Sequence, residues 1–139
     1  MSYLLDTCVL SEFTRRTPDP HVICWMDSID EEKLHLSVIT IGEIRRGIER
    51  LSESRRKTDL FAWLSEDLIE RFGQRILPLD IQTMSVWGSL VARIEKAGRI
   101  MPVMDSLIAA AAMQYQLILA TRNVSDFSSC GVQVVNPWE

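Results

Sequence analysis

The sequence predicts an α/β fold in which a five-stranded, mostly parallel sheet lies between layers of helix, a three-layer α/β/α sandwich. Five short apolar runs alternate with helical stretches from one end of the chain to the other, as parallel crossovers require. The chain has 139 residues, 47% of them hydrophobic, which suits one domain over residues 1–139 with a core of its own. Four acids stand where apolar runs give way to turns or helices: Asp6, Glu43, Asp105 and Asp126. Open α/β sheets bind ligands in the crevice outside the carboxyl ends of their strands.

Tyr3 to Leu5 is the first short apolar run, and Thr7 to Arg16 follows as a helix with Val9, Leu10 and Phe13 on one side. Thr17-Pro18-Asp19-Pro20 ends that helix, and Pro20 suits the start of the next, His21 to Ser28. Leu34 to Ile39 reads as a strand. Thr40 to Leu51 is helical, with Ile41, Ile44, Ile48 and Leu51 in one stripe, and Thr58 to Phe72 repeats that spacing with Leu60, Phe61, Leu64, Leu68, Ile69 and Phe72. These two helices are expected to form a hairpin standing off the sheet, its apolar positions open to an amphipathic partner segment. Gly73 caps the second of them.

Arg75 to Leu79 is a third strand, and Pro78 implies that one side of it lacks full ladder pairing. Ile81 to Ala97 is a helix closed by Gly98. Asp105 to Gln116 is another, whose alanines from Ala109 to Ala112 permit close backbone approach. Leu117 to Ala120 and Val132 to Val135 complete the strands. Right-handed crossovers then bring the acid-bearing strand ends to one edge.

The net charge of −4 argues against a protein that coats nucleic acid by bulk electrostatics, though not against a nuclease whose metal supplies local positive charge. Arg45 to Lys57 is the most basic stretch, but Glu49 and Glu53 interleave, so a solvated face of i,i+4 pairs competes with a substrate or partner surface. Cys8, Cys24 and Cys130 are widely spaced and signal neither a disulfide framework nor a zinc site. Asp6 comes too early for a secretory signal, and no apolar run nears the roughly 18 to 20 residues of a membrane span. A reduced, cytoplasmic protein is the expectation.

Three of the acids also have a purely structural explanation. Thr40-x-x-Glu43 matches a capping box, Asp105 is placed to cap a helix starting at Ser106, and Asp126 to cap a turn through Ser129. Asp6 resists such treatment, because a carboxylate directly after an apolar strand is costly without partners. Brought together, the four would repel one another unless a cation or protonation neutralised them. Hard divalent cations prefer oxygen ligands, so the set suits Mg²⁺-assisted phosphate chemistry. His21 and His35 are read as structural or surface residues.

Four local sequences occur in order: Leu5-Asp6-Thr7; Ser37-x-x-Thr40-x-x-Glu43; Met104-Asp105-Ser106-Leu107-Ile108-Ala109-Ala110; and Thr121-Arg122-Asn123-x-x-Asp126-Phe127. Over essentially the whole chain this set resembles the PIN-domain ribonucleases of VapC type, and Asn136-Pro137-Trp138 resembles the ending of their FitB-like branch. The resemblance implies a PIN-like fold, endonucleolytic cleavage of RNA, Mg²⁺ or Mn²⁺ as cofactor, and inhibition by a small antitoxin encoded alongside. It also implies a homodimer and a larger toxin–antitoxin assembly on DNA through the antitoxin.

The family's metal-binding acids fall on Asp6, Glu43 and Asp105. The fourth falls on Asp126, with Asn123 standing where some FitB-like members carry theirs. Thr7, Thr121 and Asn123 are then candidates to orient carboxylates or phosphate, and Arg122 to contact substrate phosphate or form a surface salt bridge. Cys8 replaces the asparagine common after Asp-Thr, which implies weaker local hydrogen bonding.

Two other classes compete. A receiver-type signalling domain would use Asp80 and Thr121, but the chain lacks paired acids after its first strand and any lysine beyond Lys96. A non-catalytic binding module on the same fold would have no need of four intact acids.

Overall fold

The computed structural model describes all residues from Met1 to Glu139. β1 (Tyr3–Leu5), β2 (Leu34–Ser37), β3 (Ile76–Leu77), β4 (Ile118–Ala120) and β5 (Val134–Val135) form one sheet in the order β3-β2-β1-β4-β5. Every pairing is parallel, with Tyr3 opposite both Leu34 and Ile118. The first strand in sequence is thus central, and the chain grows outward from it in both directions. β3 is an outer strand, as Pro78 implied.

Period-two alternation divides the sheet between two cores. Leu4, Leu77 and Leu119 face α6 (Ile81–Lys96) and α7 (Val103–Gln114), packing with Leu90, Ile94, Ile108 and Ala109 to Ala112. Leu5, Leu34, Leu36 and Ala120 face the opposite layer, with Val9, Leu10, Val22, Ile44, Ile48, Leu64, Leu68 and Phe72. That layer is α1 (Thr7–Glu12), α2 (Pro20–Asp27), α3 (Val38–Glu49) and α4 (Arg55–Ala62), the last continuing through a π-helical segment, Trp63–Ile69, into α5 (Glu70–Phe72). α8 (Val124–Phe127) is a single turn after β4. The three-layer architecture matches expectation, and no helix is long and apolar enough to cross a membrane.

Several expected details fail for local reasons. α3 and the α4–α5 helix do not stand off the sheet, because their stripe of Ile44, Ile48, Leu64, Leu68 and Phe72 is buried in the second core. What remains open is a cavity of about 600 Å³ beside the π-helical segment, lined in part by Leu10, Phe13, Met26, Trp63 and Leu68. Within the basic stretch Arg45 pairs with Glu49 at 3.2 Å and Lys57 with Glu53 at 2.9 Å, while Arg46, Arg50 and Arg55 form no salt bridge.

β2 stops at Ser37, whose hydroxyl accepts the Ile39 N–H and starts α3 at Val38, two residues sooner than the β-branched run Val38-Ile39-Thr40 suggested. α7 likewise starts at Val103, behind Pro102, and α1 closes at Phe13. Gly73 at φ +48 and Gly98 at φ +75 take the left-handed conformations that end their helices.

Candidate active site at the carboxyl edge of the sheet

Asp6 leaves β1 with its backbone N–H bonded to the Ala120 carbonyl at 2.9 Å, which continues the ladder with β4. Its carboxylate is buried, 5% exposed, yet well supplied with donors. Oδ1 accepts the Thr7 N–H at 2.8 Å, so Asp6 caps α1, and Oδ2 accepts the Thr121 hydroxyl at 2.7 Å. The Cys8 thiol lies 3.8 Å from the same Oδ2 and 3.6 Å from the Thr121 hydroxyl, the long contacts of a sulfur donor. Burial first, and then the Asp6 charge, raise the Cys8 thiol above its ordinary pKa against the lowering effect of the Arg122 N–H and Thr121.

Glu43 is not half of a capping box. With Ser37 as the cap, Thr40 is the third residue of α3 and Glu43 lies in its second turn, free to reach across the site. Its Oε1 accepts the Thr7 hydroxyl at 2.6 Å, and that hydroxyl also stands 3.3 Å from Thr40 Oγ1. Thr7 therefore ties β1 to α3, giving its N–H to one candidate ligand and its hydroxyl to another.

Asp105 is not a helix cap either. It is the third residue of α7, and the cap position belongs to Pro102, which makes no side-chain capping bond. Its pKa is pushed up to about 6, by desolvation first and then by the charges of Asp6, Asp126 and Glu43. Those repulsions put Asp6, Glu43 and Asp126 within range of Asp105, although the four come from separate segments. Asp126 sits inside α8 on the exposed rim rather than capping a turn, and Asn123 precedes α8 with its N–H on the Thr121 hydroxyl at 3.0 Å.

The carboxylates meet at charge-interaction range; no three His, Cys, Asp or Glu side chains are gathered closely enough to enclose an ion on their own. The donor set is nonetheless all carboxylate oxygen apart from the neighbouring Cys8, the chemistry a hard divalent cation selects. Mutual repulsion also gives the site a reason to draw one in.

Other predicted positions separate from this group. Asp80 caps α6, accepting from the Thr83 N–H at 2.9 Å, the Thr83 hydroxyl at 2.9 Å and Gln114 Nε2 at 3.1 Å. Those donors hold its carboxyl below the usual range, and it is not among the charges acting on Asp105, which removes the phosphoacceptor of the receiver reading. Arg122 is pinned by Glu12 at 3.6 Å and stacks on the Trp138 ring at 4.3 Å. Glu12 is the residue that sequence reasoning missed. Its position three residues after Val9 puts it on the buried face of α1, and an acid on an apolar stripe is the signal that marks it.

An open parallel sheet with acids gathered at its carboxyl edge defines an α/β protein whose candidate site lies at that edge. A family model described as PIN domain matches residues 3–129, and the chain belongs to the PIN-domain family. It is 38% identical to the plasmid stability protein StbB of Pseudomonas syringae pv. tomato over 136 residues, covering 98% of each chain. It is 33% identical to a VapC ribonuclease of Sinorhizobium fredii, over 98% of this chain and 97% of that one. It is also 36% identical to the toxin FitB of Neisseria gonorrhoeae, over 97% of each. Among solved structures, FitAcB from Neisseria gonorrhoeae superposes with a TM-score of 0.93 at 35% identity over 99% of each chain. FitAB bound to a DNA fragment gives 0.93 at 34%, over 99% of this chain and 96% of that one.

Proposed function

We propose that this protein is a metal-dependent endoribonuclease and the toxin of a toxin–antitoxin pair, hydrolysing RNA phosphodiester bonds at a site made by Asp6, Glu43, Asp105 and Asp126. The observation that carries the reading is the placement of four acids from four segments at the carboxyl edge of the sheet, where Asp6 and Glu43 share Thr7 and where burial first, then the charges of Asp6, Asp126 and Glu43, raise Asp105. The VapC ribonuclease and the toxin FitB among its relatives supply the substrate class and the partner.

A bound Mg²⁺ or Mn²⁺ would supply charge stabilisation at phosphorus and an acidified water. The chain's own residues do the positioning. Thr121 and the Thr7 N–H fix the Asp6 carboxylate from two sides, while the Thr7 hydroxyl aims Glu43. Asp105 accepts no hydrogen bond from a neighbour and sits at the start of α7, whose aligned N–H groups favour negative charge there. Asp126 closes the rim beside Asn123.

The partner of this reading is a small antitoxin. The open cavity beside Phe13 and Trp63, apolar with Glu66, Asp67, Glu70 and Arg71 around it, suits an amphipathic segment of such a protein. A homodimer, a larger assembly on DNA through the antitoxin, and a cytoplasmic location complete the reading.

The test is incubation of purified protein with RNA in millimolar Mg²⁺ or Mn²⁺. Endonucleolytic products that EDTA abolishes are expected, with Asp6→Asn slower by at least about a hundredfold, roughly 2.7 kcal/mol of lost transition-state stabilisation. Cleavage that persists in EDTA, or that Asp6→Asn leaves intact, would overturn the proposal.

A further inference from the structure

Glu12 is a nearly fully buried carboxylate, 3% exposed, outside the acidic site. It accepts the Asp19 N–H at 3.0 Å and the Trp138 indole N–H at 3.3 Å, and it pairs with Arg15 at 3.4 Å and Arg122 at 3.6 Å. Burying a carboxylate is costly unless its lone pairs are filled, and here donors from four separate places fill them. The Asp19 N–H fixes the turn before α2. Trp138 brings in the last residues of the chain, where its own N–H bonds to Asn136 Oδ1 at 2.9 Å. Arg122 lies between Glu12 and the face of the Trp138 ring, half-exposed but held on two sides.

Arg122 belongs to the turn that supports the acidic site. The residue before it is Thr121, whose hydroxyl donates to Asp6 and also lies 3.6 Å from the Cys8 sulfur. The residue after it is Asn123, whose N–H bonds to that same hydroxyl and whose carbonyl accepts the Asp126 N–H at 3.1 Å. One turn therefore orients Asp6 directly and carries Asp126, and its only side chain held from outside the site is Arg122.

We propose that Glu12, Arg122 and Trp138 form a clamp that sets the Thr121–Asn123 turn, making them positioning residues for the Asp6 and Asp126 ligands. The proposal rests on the metal-site reading above. The clamp touches neither substrate nor the reacting atoms. Its effect passes through Thr121, in the way that outer hydrogen-bond partners of metal ligands tune affinity. The C-terminal tryptophan is thereby part of the ion-binding apparatus, although it arises 132 positions after Asp6 in the sequence.

Calorimetric titration of Mn²⁺ into the full chain without RNA measures the effect apart from catalysis. Arg122→Ala and Trp138→Ala are expected to weaken Mn²⁺ binding by about tenfold or more, the scale found for outer partners of metal ligands. Trp138→Phe keeps a ring for Arg122 to stack on and loses only the indole N–H, so it should recover most of that loss. Ile94→Val, a buried change in α6 on the other side of the sheet, should lower the melting temperature and leave Mn²⁺ affinity unchanged. Wild-type affinity in both alanine variants, or a loss in Ile94→Val as large as theirs, would overturn the clamp and leave only a contribution to stability. A wild-type chain that binds no Mn²⁺ would sink the metal site itself and the clamp with it.

Discussion

Asp80 and Asp105 both stand where a long helix begins, yet their surroundings oppose each other. Asp80 faces three donors from Thr83 and Gln114, and its carboxyl is held below the ordinary range, by the Thr83 N–H first. Asp105 faces other carboxylates, and desolvation followed by their charges pushes it up to about 6. The β3–α6 junction is locally self-sufficient, so its acid serves the helix. The start of α7 has no such local donors, and its acid lies among like charges instead. Donor supply, and not place relative to a helix, separates Asp80 from Asp105; Asp6, which caps α1 and still stands in the acidic group, combines the two situations.

Exchanging the two acids' roles in cleavage gives the largest effect. Asp105→Asn is expected to cut the Mg²⁺-dependent rate by at least about a hundredfold, and Asp80→Ala to leave it within about twofold, a few tenths of a kcal/mol in barrier. Comparable losses in the two variants would erase the distinction.

A smaller effect, of opposite sign at the two positions, should appear in metal-free stability. Asp105 has a raised folded pKa, so the folded state holds the proton better and stability falls as pH rises from 3.8 to about 6; the penalty is complete above that. Asp105→Asn in EDTA should therefore melt higher than wild type at pH 7, by about 1 kcal/mol after solvent screening, and show no advantage below pH 3.8. Asp80 has a lowered folded pKa, so its contribution is present above 3.8 and fades as pH falls further. Asp80→Ala should melt lower than wild type at pH 7, with the gap narrowing in acid. Thermal melts across pH read both, and an Asp105→Asn protein less stable than wild type at neutral pH would make Asp105 a structural residue.

The smallest effect tests donor supply within the site itself. Cys8→Asn places a proper amide donor where a thiol now lies 3.8 Å from Asp6. A better-held Asp6 should tighten Mn²⁺ binding by about threefold, within the range of one net hydrogen bond. Unchanged affinity would mean that Thr7 and Thr121 already fix Asp6 fully.

The difference between the two aspartates was only half visible beforehand. The five strands, their parallel sense and the outer position of β3 follow from apolar runs, helical stripes and Pro78, all local or periodic signals. Convergence of four acids at one edge follows from topology, and Asp6 after Leu5 was legible for that reason. Cap assignments failed because a single residue decides where a helix starts. Ser37 and Pro102 take the cap positions, which shifts α3 and α7 toward the N-terminus and turns Glu43 and Asp105 inward. The π-helical segment has no counterpart in the apolar spacing of Leu64 and Leu68. Glu12 escaped notice because its partners Arg122 and Trp138 lie more than a hundred positions away, beyond any window that reads a helix.

The sheet's outermost strands hold two residues each, Ile76–Leu77 and Val134–Val135. Strands this short leave almost no row of unpaired backbone groups for a stranger to zip onto, and Pro78 removes one donor just beyond the first. Edge-to-edge growth into fibrils is thus discouraged at both flanks. Association between copies of the chain through these strand edges is disfavoured, which leaves side-chain surfaces to choose a partner.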